Sequence, residues 1–281
     1  MGGVIAPAPA PVAVRAGEVV LGARHWQGGP AGVPVLLVHG LASNARVWDG
    51  VAAQLVAAGR QVLAVDLRGH GTSASVPDPP ASDPTLVAAV DLSWACASLG
   101  WSRVVVAAHS WGAHIALQLA ADLPHLVAGL ALVDGGWRPY TDRFADLDTA
   151  WRRTAPPDLT AFALRDVREA LAGAHPEWSP AAVEATLANL EQRPDGTLCA
   201  RLTRRRHYDR IASLFAHRPH ELHRRVRCPT VLLAADDPPH PSARAAASTL
   251  LDAELIAFPG GEHDLHLQFP DRVAAAIARL G

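Results

Sequence analysis

A serine stands where a buried strand is predicted to give way to a helix. The run Ala-His-Ser-Trp-Gly at 108–112 follows an apolar stretch at 104–107, and a helical pattern of apolar residues continues over 111–123. A serine on such a sharp turn needs small neighbours two positions away on either side, because the backbone is strained and the helix packs close to the strand. Ala108 and Gly112 supply them. The sequence therefore predicts Ser110 as a nucleophile.

A serine hydroxyl needs a base, and fourteen histidines compete for that role. Position in the chain favours His263, which follows the last predicted strand (254–258) and precedes the last predicted helix (271–280). Its side chain is therefore expected at the carboxyl edge of the sheet, where Ser110 also lies. His266, one helical turn further on, is the nearby alternative.

The imidazole in turn needs a carboxylate to fix its tautomer and stabilise its protonated form. Asp236 and Asp237 follow the predicted strand at 230–235, the usual place for the acid in the chain order serine, acid, histidine. Asp134 ends the earlier strand at 130–133 and is a second candidate. We expect Asp237 to act, with Asp134 as the first alternative and Asp236 as the next.

Two backbone amides are candidates for an oxyanion hole. The Trp111 N–H lies at the start of a helix, where unpaired amides and the helix dipole favour negative charge. The Leu41 N–H lies in the loop after the predicted strand at 35–38. His39 is expected to brace that loop by hydrogen bonds.

The order of apolar runs predicts the architecture that must position these groups. Short buried strands alternate with amphipathic helices, which is typical of a mostly parallel, doubly wound α/β sheet. The alternation stops at about Trp137 and resumes after Arg227. We therefore expect a core made of residues 1–136 and 228–281 and a helical cap, or lid, inserted at 137–227.

Composition limits the partners. The chain has 281 residues, of which 49% are hydrophobic and 19% charged, and its formal net charge is −2. This balance is typical of a packed globular protein and gives no field that would attract nucleic acid or an anionic membrane. Three widely spaced cysteines suggest neither a zinc site nor a disulfide framework.

The sequence also predicts neither a signal peptide nor a membrane span. The opening residues 1–11 lack a basic region, and prolines interrupt their apolar run, so they do not predict a signal peptide. No apolar stretch reaches the roughly 18 residues of a membrane span. We expect a cytoplasmic protein without nucleic-acid or membrane partners, and nothing in the sequence indicates its oligomeric state.

Taken together, these motifs resemble the α/β-hydrolase superfamily, in particular its capped, cofactor-free branch of esterases, lactonases and carbon–carbon bond hydrolases. The matching segments are Val-Leu-Leu-Val-His-Gly at 35–40, Asp-Leu-Arg-Gly-His-Gly at 66–71, Ala-His-Ser-Trp-Gly at 108–112, Cys-Pro-Thr at 228–230 with Asp236 and Asp237, and Gly-Gly-Glu-His at 260–263 through Pro270. The resemblance implies an eight-stranded sheet, no cofactor and no metal.

Departures from the family patterns narrow the implied activity. Ser110 stands where haloalkane dehalogenases and epoxide hydrolases of this family carry an aspartate nucleophile. Asp264 stands where many carbon–carbon hydrolases carry tryptophan, which lowers that alternative without removing it. Some lactonases of the branch use an acid at the position of Asp134.

We therefore expect hydrolysis of a carboxylic ester or lactone through an acyl-enzyme on Ser110, with His263 as general base. The alternatives are a carbon–carbon bond hydrolase and a ligand sensor that keeps the triad with little turnover. The expected substrate is a small apolar or aromatic ester or lactone. Candidate substrate contacts are His39, Trp137, Tyr140 and Trp178.

Overall fold

The apolar runs form one eight-stranded sheet in a computed structural model that describes residues 9–29 and 32–281. Its strands are β1 (Ala10–Ala16), β2 (Val19–Trp26), β3 (Val35–Val38), β4 (Val62–Val65), β5 (Val104–His109), β6 (Val127–Val133), β9 (Thr230–Ala234) and β10 (Ala253–Ala257), while β7 (Leu190–Gln192) and β8 (Leu198–Ala200) form a separate hairpin. The order across the sheet is β1-β2-β4-β3-β5-β6-β9-β10. Among the described residues of this sheet, the two pairings made by β2 are antiparallel and the others are parallel, so the predicted mostly parallel sheet is confirmed.

Helices cover both faces of this sheet. They are α1 (Asp49–Ala57), α2 (Pro84–Ser98), α3 (Trp111–Asp122), α4 (Leu147–Thr154), α5 (Leu164–Ala174), α6 (Pro180–Leu187), α7 (Arg204–Ala216), α8 (Pro219–Leu222), α9 (Pro241–Thr249), α10 (Leu265–Gln268) and α11 (Pro270–Ala278). Within the described ranges, no helix is both long and apolar enough to cross a bilayer.

The two faces of the sheet bury separate apolar layers because successive side chains of a strand point to opposite sides. In β3, Leu36 and Val38 join the layer that contains α2 and α3, whereas Val35 and Leu37 join the layer that contains α1 and α11. All four side chains are fully buried. Burial on both faces explains why the central strands read as continuous apolar runs.

Several strands begin or end at residues other than those predicted. The strand predicted at 130–133 begins at Val127, and the strand predicted at 104–107 extends to His109. A 3-10 turn (Ala45–Trp48) precedes α1, and the Asn44 side chain caps it by accepting a hydrogen bond from the Arg46 amide, 2.8 Å. The start of the predicted core lies outside the described residues.

Residues 137–227, called the inserted segment below, contain α4 to α8 and the β7–β8 hairpin. The prediction of a helical segment is therefore incomplete, because it did not include the hairpin. Leu198 is buried, but Glu191 and Gln192 on the facing strand are exposed. Strands of only three residues are too short to show a detectable apolar alternation.

Candidate active site

Ser110 occupies a strained turn between β5 and α3. Its φ of 53° lies in the left-handed region, which non-glycine residues seldom adopt. The turn is held by the last hydrogen bond of the sheet, from the Ser110 N–H to the Val133 carbonyl, 3.0 Å. A Cβ on Gly112 would come within 2.5 Å of the His39 carbonyl oxygen, which explains why the sequence has glycine there.

The hydroxyl, an imidazole and a carboxylate lie in line at this edge. His263 Nε2 is 2.9 Å from Ser110 Oγ, and its Nδ1 is 2.6 Å from Oδ2 of Asp134. The carboxylate can only accept, so Nδ1 carries the proton and Nε2 is free to receive one from the serine. The arrangement can deprotonate the hydroxyl and stabilise the imidazolium that forms.

The acid at this position is Asp134, and the preference for Asp237 is not supported by the geometry. Asp237 is exposed, and in the described part of the chain its side chain makes no hydrogen bond to His263. The sheet order gives the physical reason, because β6 lies directly beside β5, whereas β9 is one strand further away. Asp236, the third candidate, is exposed and lines the cavity described below.

Asp134 is itself fixed by the sheet. Its φ is 42°, and its N–H donates to the Leu233 carbonyl, 2.9 Å. The second carboxylate oxygen, Oδ1, accepts from the Ala235 N–H, 3.1 Å. The carboxylate is 19% exposed, so both of its oxygens are engaged in a mostly enclosed setting.

The pKa of His263 is raised above that of an ordinary histidine. Burial works to lower this pKa, but 53% of the side chain is exposed, which limits the effect. The hydrogen bond and negative charge of Asp134, with the charge of Asp264, favour the protonated ring, and Arg143 opposes them. The imidazolium formed during proton transfer is thus stabilised.

Two buried histidines position His263. The Nε2 of His109 lies 2.9 Å from the His263 carbonyl, and since a carbonyl only accepts, this nitrogen must donate. His266 is buried between Trp48 and His109, with ring centroids 4.5 Å from each. Burial lowers the pKa of both His109 and His266 well below the ordinary value, so both rings are neutral. His266 therefore lies behind the base and away from Ser110, a role that spacing alone did not reveal.

The loop after β3 is braced by two more neutral histidines. His39 donates from Nδ1 to the Gly40 carbonyl, 2.7 Å, and accepts from the Leu67 amide, 3.0 Å. His70 accepts from the Ala42 amide, 3.3 Å, and donates to a carbonyl through its other nitrogen. His39 is fully buried and is not part of the lining of the cavity over Ser110, and its hydrogen bonds brace the loop.

The predicted oxyanion donors flank the serine. Trp111 follows Ser110 as the first residue of α3, and Leu41 follows the loop glycine that packs on the serine. A Cβ added to Gly40 would lie 3.1 Å from the Ser110 Cβ, which shows how closely this loop approaches. Neither amide donates to another group within residues 9–29 and 32–281.

A cavity of about 160 Å³ opens over Ser110. Trp137 and Tyr140 line it, as predicted, but Trp178 does not. Trp178 instead stacks on His175, with ring centroids 4.1 Å apart. It belongs to the apolar layer that contains α1 and α11. The remaining lining is largely polar, and it comprises Trp111, His114, Asp134, Gly135, Gly136, Arg138, Pro139, Arg143, Leu214, Asp236, His240 and His263.

Comparison with known proteins gives the family. Residues 35–276 match the α/β hydrolase family. The chain belongs to this family. The match includes Ser110, Asp134 and His263.

This α/β hydrolase has relatives of varied description. A putative carbamate hydrolase, RutD, of Klebsiella pneumoniae is 28% identical over 256 residues, covering 85% of this chain and 86% of that protein. An uncharacterized protein of Mycobacterium bovis is 38% identical over 107 residues, or 38% of this chain and 30% of that one. An esterase of Mycobacterium tuberculosis is 36% identical over 136 residues, covering 47% and 41% respectively. The chain thus spans less than half of the mycobacterial relatives.

Solved structures share the whole fold. E-2-(acetamidomethylene)succinate hydrolase superposes with a TM-score of 0.79 at 22% identity, covering 96% of this chain and 98% of that one. A hypothetical protein of Pseudomonas aeruginosa gives a TM-score of 0.71 at 28% identity, with 97% of both chains covered. These likenesses support the hydrolase fold over its full length.

A second cavity, of about 280 Å³, has mainly apolar walls. The inserted segment supplies most of them, with Leu159, Val167, Leu171 and Leu190 among them, and core residues such as Ala42 complete the lining. Ser110 and His263 are not part of this lining. The reacting groups therefore do not belong to this apolar cavity.

Two groups of side chains have donor atoms close enough to share a cation, within 4.8 Å of one another. One is His109, Asp264 and His266, and the other is His175, Glu177 and Glu262. In the first group His109 already donates to the His263 backbone, and in the second His175 lies 2.6 Å from Glu262. Both groups are thus partly engaged in hydrogen bonds within the protein.

Proposed function

We propose that this hydrolase cleaves a carboxylic ester or lactone through an acyl-enzyme on Ser110. The observation that carries the proposal is the pair of contacts made by His263, 2.9 Å to the serine hydroxyl and 2.6 Å to Asp134. Distances of this kind allow proton transfer without rearrangement. The relatives described as an esterase and a lipase of M. tuberculosis support the choice of an ester bond.

The chemical steps follow from this geometry. Ser110 Oγ attacks the carbonyl carbon while its proton passes to Nε2 of His263. The tetrahedral intermediate collapses, the carbon–oxygen bond to the leaving group breaks, and the imidazolium returns the proton to the departing oxygen. Water then attacks the acyl-enzyme with His263 again taking the proton, and the acid is released with free Ser110.

The negative charge of the tetrahedral intermediate needs fixed donors. The Leu41 and Trp111 amides are suited to this role, because both flank the serine and neither is used by the described part of the fold. Asp134 keeps His263 in the tautomer with Nδ1–H and stabilises its protonated form. Residues 137–227 act as a cap, since they supply part of the cavity wall over Ser110.

Replacement of the nucleophile tests the proposal. Ser110→Ala should lower kcat for a small aryl ester by roughly a millionfold, the loss typical of a removed serine nucleophile. Ser248→Ala, an exposed serine of α9, is the matched control and should keep wild-type kcat. Circular dichroism and thermal unfolding should match for all three proteins. Ester turnover that survives in Ser110→Ala would remove the serine from the mechanism.

A further inference from the structure

The cavity over Ser110 carries two arginines whose charges are not neutralised. Arg138 and Arg143 lie just after β6, and both line the cavity. Arg138 donates from Nη2 to the Asp142 carbonyl, 3.1 Å, and the Arg143 guanidinium lies 5.2 Å from the centre of the Phe144 ring. Neither contact supplies a negative charge. Two guanidinium groups thus face the space in which a substrate would lie.

Arg138 also has an unused donor. Its Nε is buried and has no hydrogen-bond partner within the described part of the protein. Buried N–H groups are nearly always paired, and no acceptor for this one lies within the described part of the chain. The fork of a guanidinium fits a carboxylate, which can accept two parallel hydrogen bonds.

Within the described residues, neither carboxylate of the cavity lining forms an ion pair with the two arginines. Asp134 lines the cavity but is already paired with His263. Asp236 is the other carboxylate of the lining, and it is exposed. His114 adds no charge, because burial lowers its pKa to about 3. The two arginines therefore share the cavity with one carboxylate, that of Asp236, which is not part of the proton relay.

An apolar substrate fits this lining poorly. The mainly apolar walls belong to the second cavity, which does not include Ser110. On the basis of the proposed function, we infer that the substrate of Ser110 carries a carboxylate in addition to its ester bond, and that Arg138 and Arg143 bind it. This inference differs from the sequence-based expectation of an apolar or aromatic substrate.

A pair of esters with the same acyl chain length tests this recognition. Monomethyl adipate carries a free carboxylate at the far end of its chain, and methyl hexanoate carries a methyl group there. We expect kcat/KM to be about tenfold higher for monomethyl adipate, which corresponds to one charge-assisted hydrogen bond. The preference should appear mainly in KM and should weaken with added salt.

Variants assign the preference to the arginines. Arg138→Gln and Arg143→Gln should each reduce the ratio of the two kcat/KM values, and the double variant should bring it close to one. Arg153→Gln, an exposed arginine of α4 outside the cavity, is the matched control and should keep the wild-type ratio. An equal kcat/KM for both esters in the wild type would overturn the inference, as would a preference that persists in the double variant.

Binding separates this inference from the proposed chemistry. In the Ser110→Ala background, calorimetry should detect tighter binding of monomethyl adipate than of methyl hexanoate, and Arg138→Gln with Arg143→Gln should abolish the difference. If this difference is found but the wild type hydrolyses neither ester, the recognition stands and the proposed function fails. If both esters are hydrolysed through Ser110 and bind equally, the function stands and the recognition fails.

Discussion

The ends of β6 and β9 make an informative comparison, because both neighbouring strands are followed by aspartate. Asp134 follows β6 directly, adopts a left-handed conformation and reaches His263 at 2.6 Å. Asp236 and Asp237 follow β9, and both are exposed. The comparison teaches that adjacency to the nucleophile strand, more than the usual order of residues along the chain, decides which carboxylate meets the imidazole.

The largest effect expected from changes at these two strand ends is the loss of kcat when Asp134 is replaced. Asp134→Asn should lower kcat by roughly a thousand- to ten-thousandfold, because the amide favours the wrong tautomer of His263 and does not stabilise the imidazolium. Asp237→Asn is the matched control at the end of β9 and should change kcat less than about twofold, as surface substitutions usually do. Steady-state kinetics on one aryl ester would measure both, and a larger loss at Asp237 would reverse the assignment.

The next prediction concerns the tight packing that follows Asp134. A Cβ on Gly135 would lie 2.5 Å from the Ser110 carbonyl oxygen and 2.8 Å from its Cα, so the backbone must shift. We expect Gly135→Ala to lower the free energy of unfolding by about 1–3 kcal/mol and to lower kcat as well.

Gly173→Ala provides the control, because an added Cβ in that position of α5 meets nothing within 4 Å. This substitution should raise the free energy of unfolding by about 0.5–1 kcal/mol through helix propensity. Urea denaturation would compare the two variants. Equal stability of both would show that the end of β6 is not packed against the serine turn as described.

The smallest expected effect is a shift in pH dependence. His263 must be neutral to accept the serine proton, so kcat/KM should rise with pH through a pKa above the ordinary histidine value, because Asp134 and Asp264 favour protonation more than burial and Arg143 oppose it. Asp134→Asn removes the strongest of the favourable charges and so lowers the pKa of His263. The acidic limb of the variant's residual kcat/KM should therefore shift to lower pH. His109 faces the same ring and is neutral.

The matching control is again Asp237→Asn, whose acidic limb should coincide with that of the wild type. The profile would be recorded as kcat/KM against pH in buffers of constant ionic strength, since screening weakens interactions between exposed charges. An acidic limb that stays in place in Asp134→Asn would mean that another group sets the pKa of His263.

Much of the site could be predicted from the sequence because it depends on local chain geometry. Ser110 sits in a strand-to-helix turn whose small neighbours are visible in the sequence, and His263 follows the last strand of the sheet. The acid could not be chosen this way, since Asp134 and Asp237 both follow strands and only sheet order distinguishes them.

The inserted segment was harder to predict. Its aromatic residues carry no signal of whether they face the cavity or the core, and Tyr140 and Trp178 have opposite outcomes. The arginines after β6 were not singled out either, because isolated arginines in a loop are ordinarily solvated. Their significance depends on their position in the lining of the cavity over Ser110, which the sequence alone does not give.

Anchoring the acid on β6 has a consequence for the loop at 235–240. This loop supplies Asp236 and His240 to the cavity wall, and within the described residues it is joined to the proton relay by a hydrogen bond from the Ala235 amide. Residues beyond Ala235 can therefore change in length, charge or bulk without altering how the proton moves. The part of the cavity wall that follows β9 can therefore be altered while Ser110, Asp134 and His263 keep their contacts.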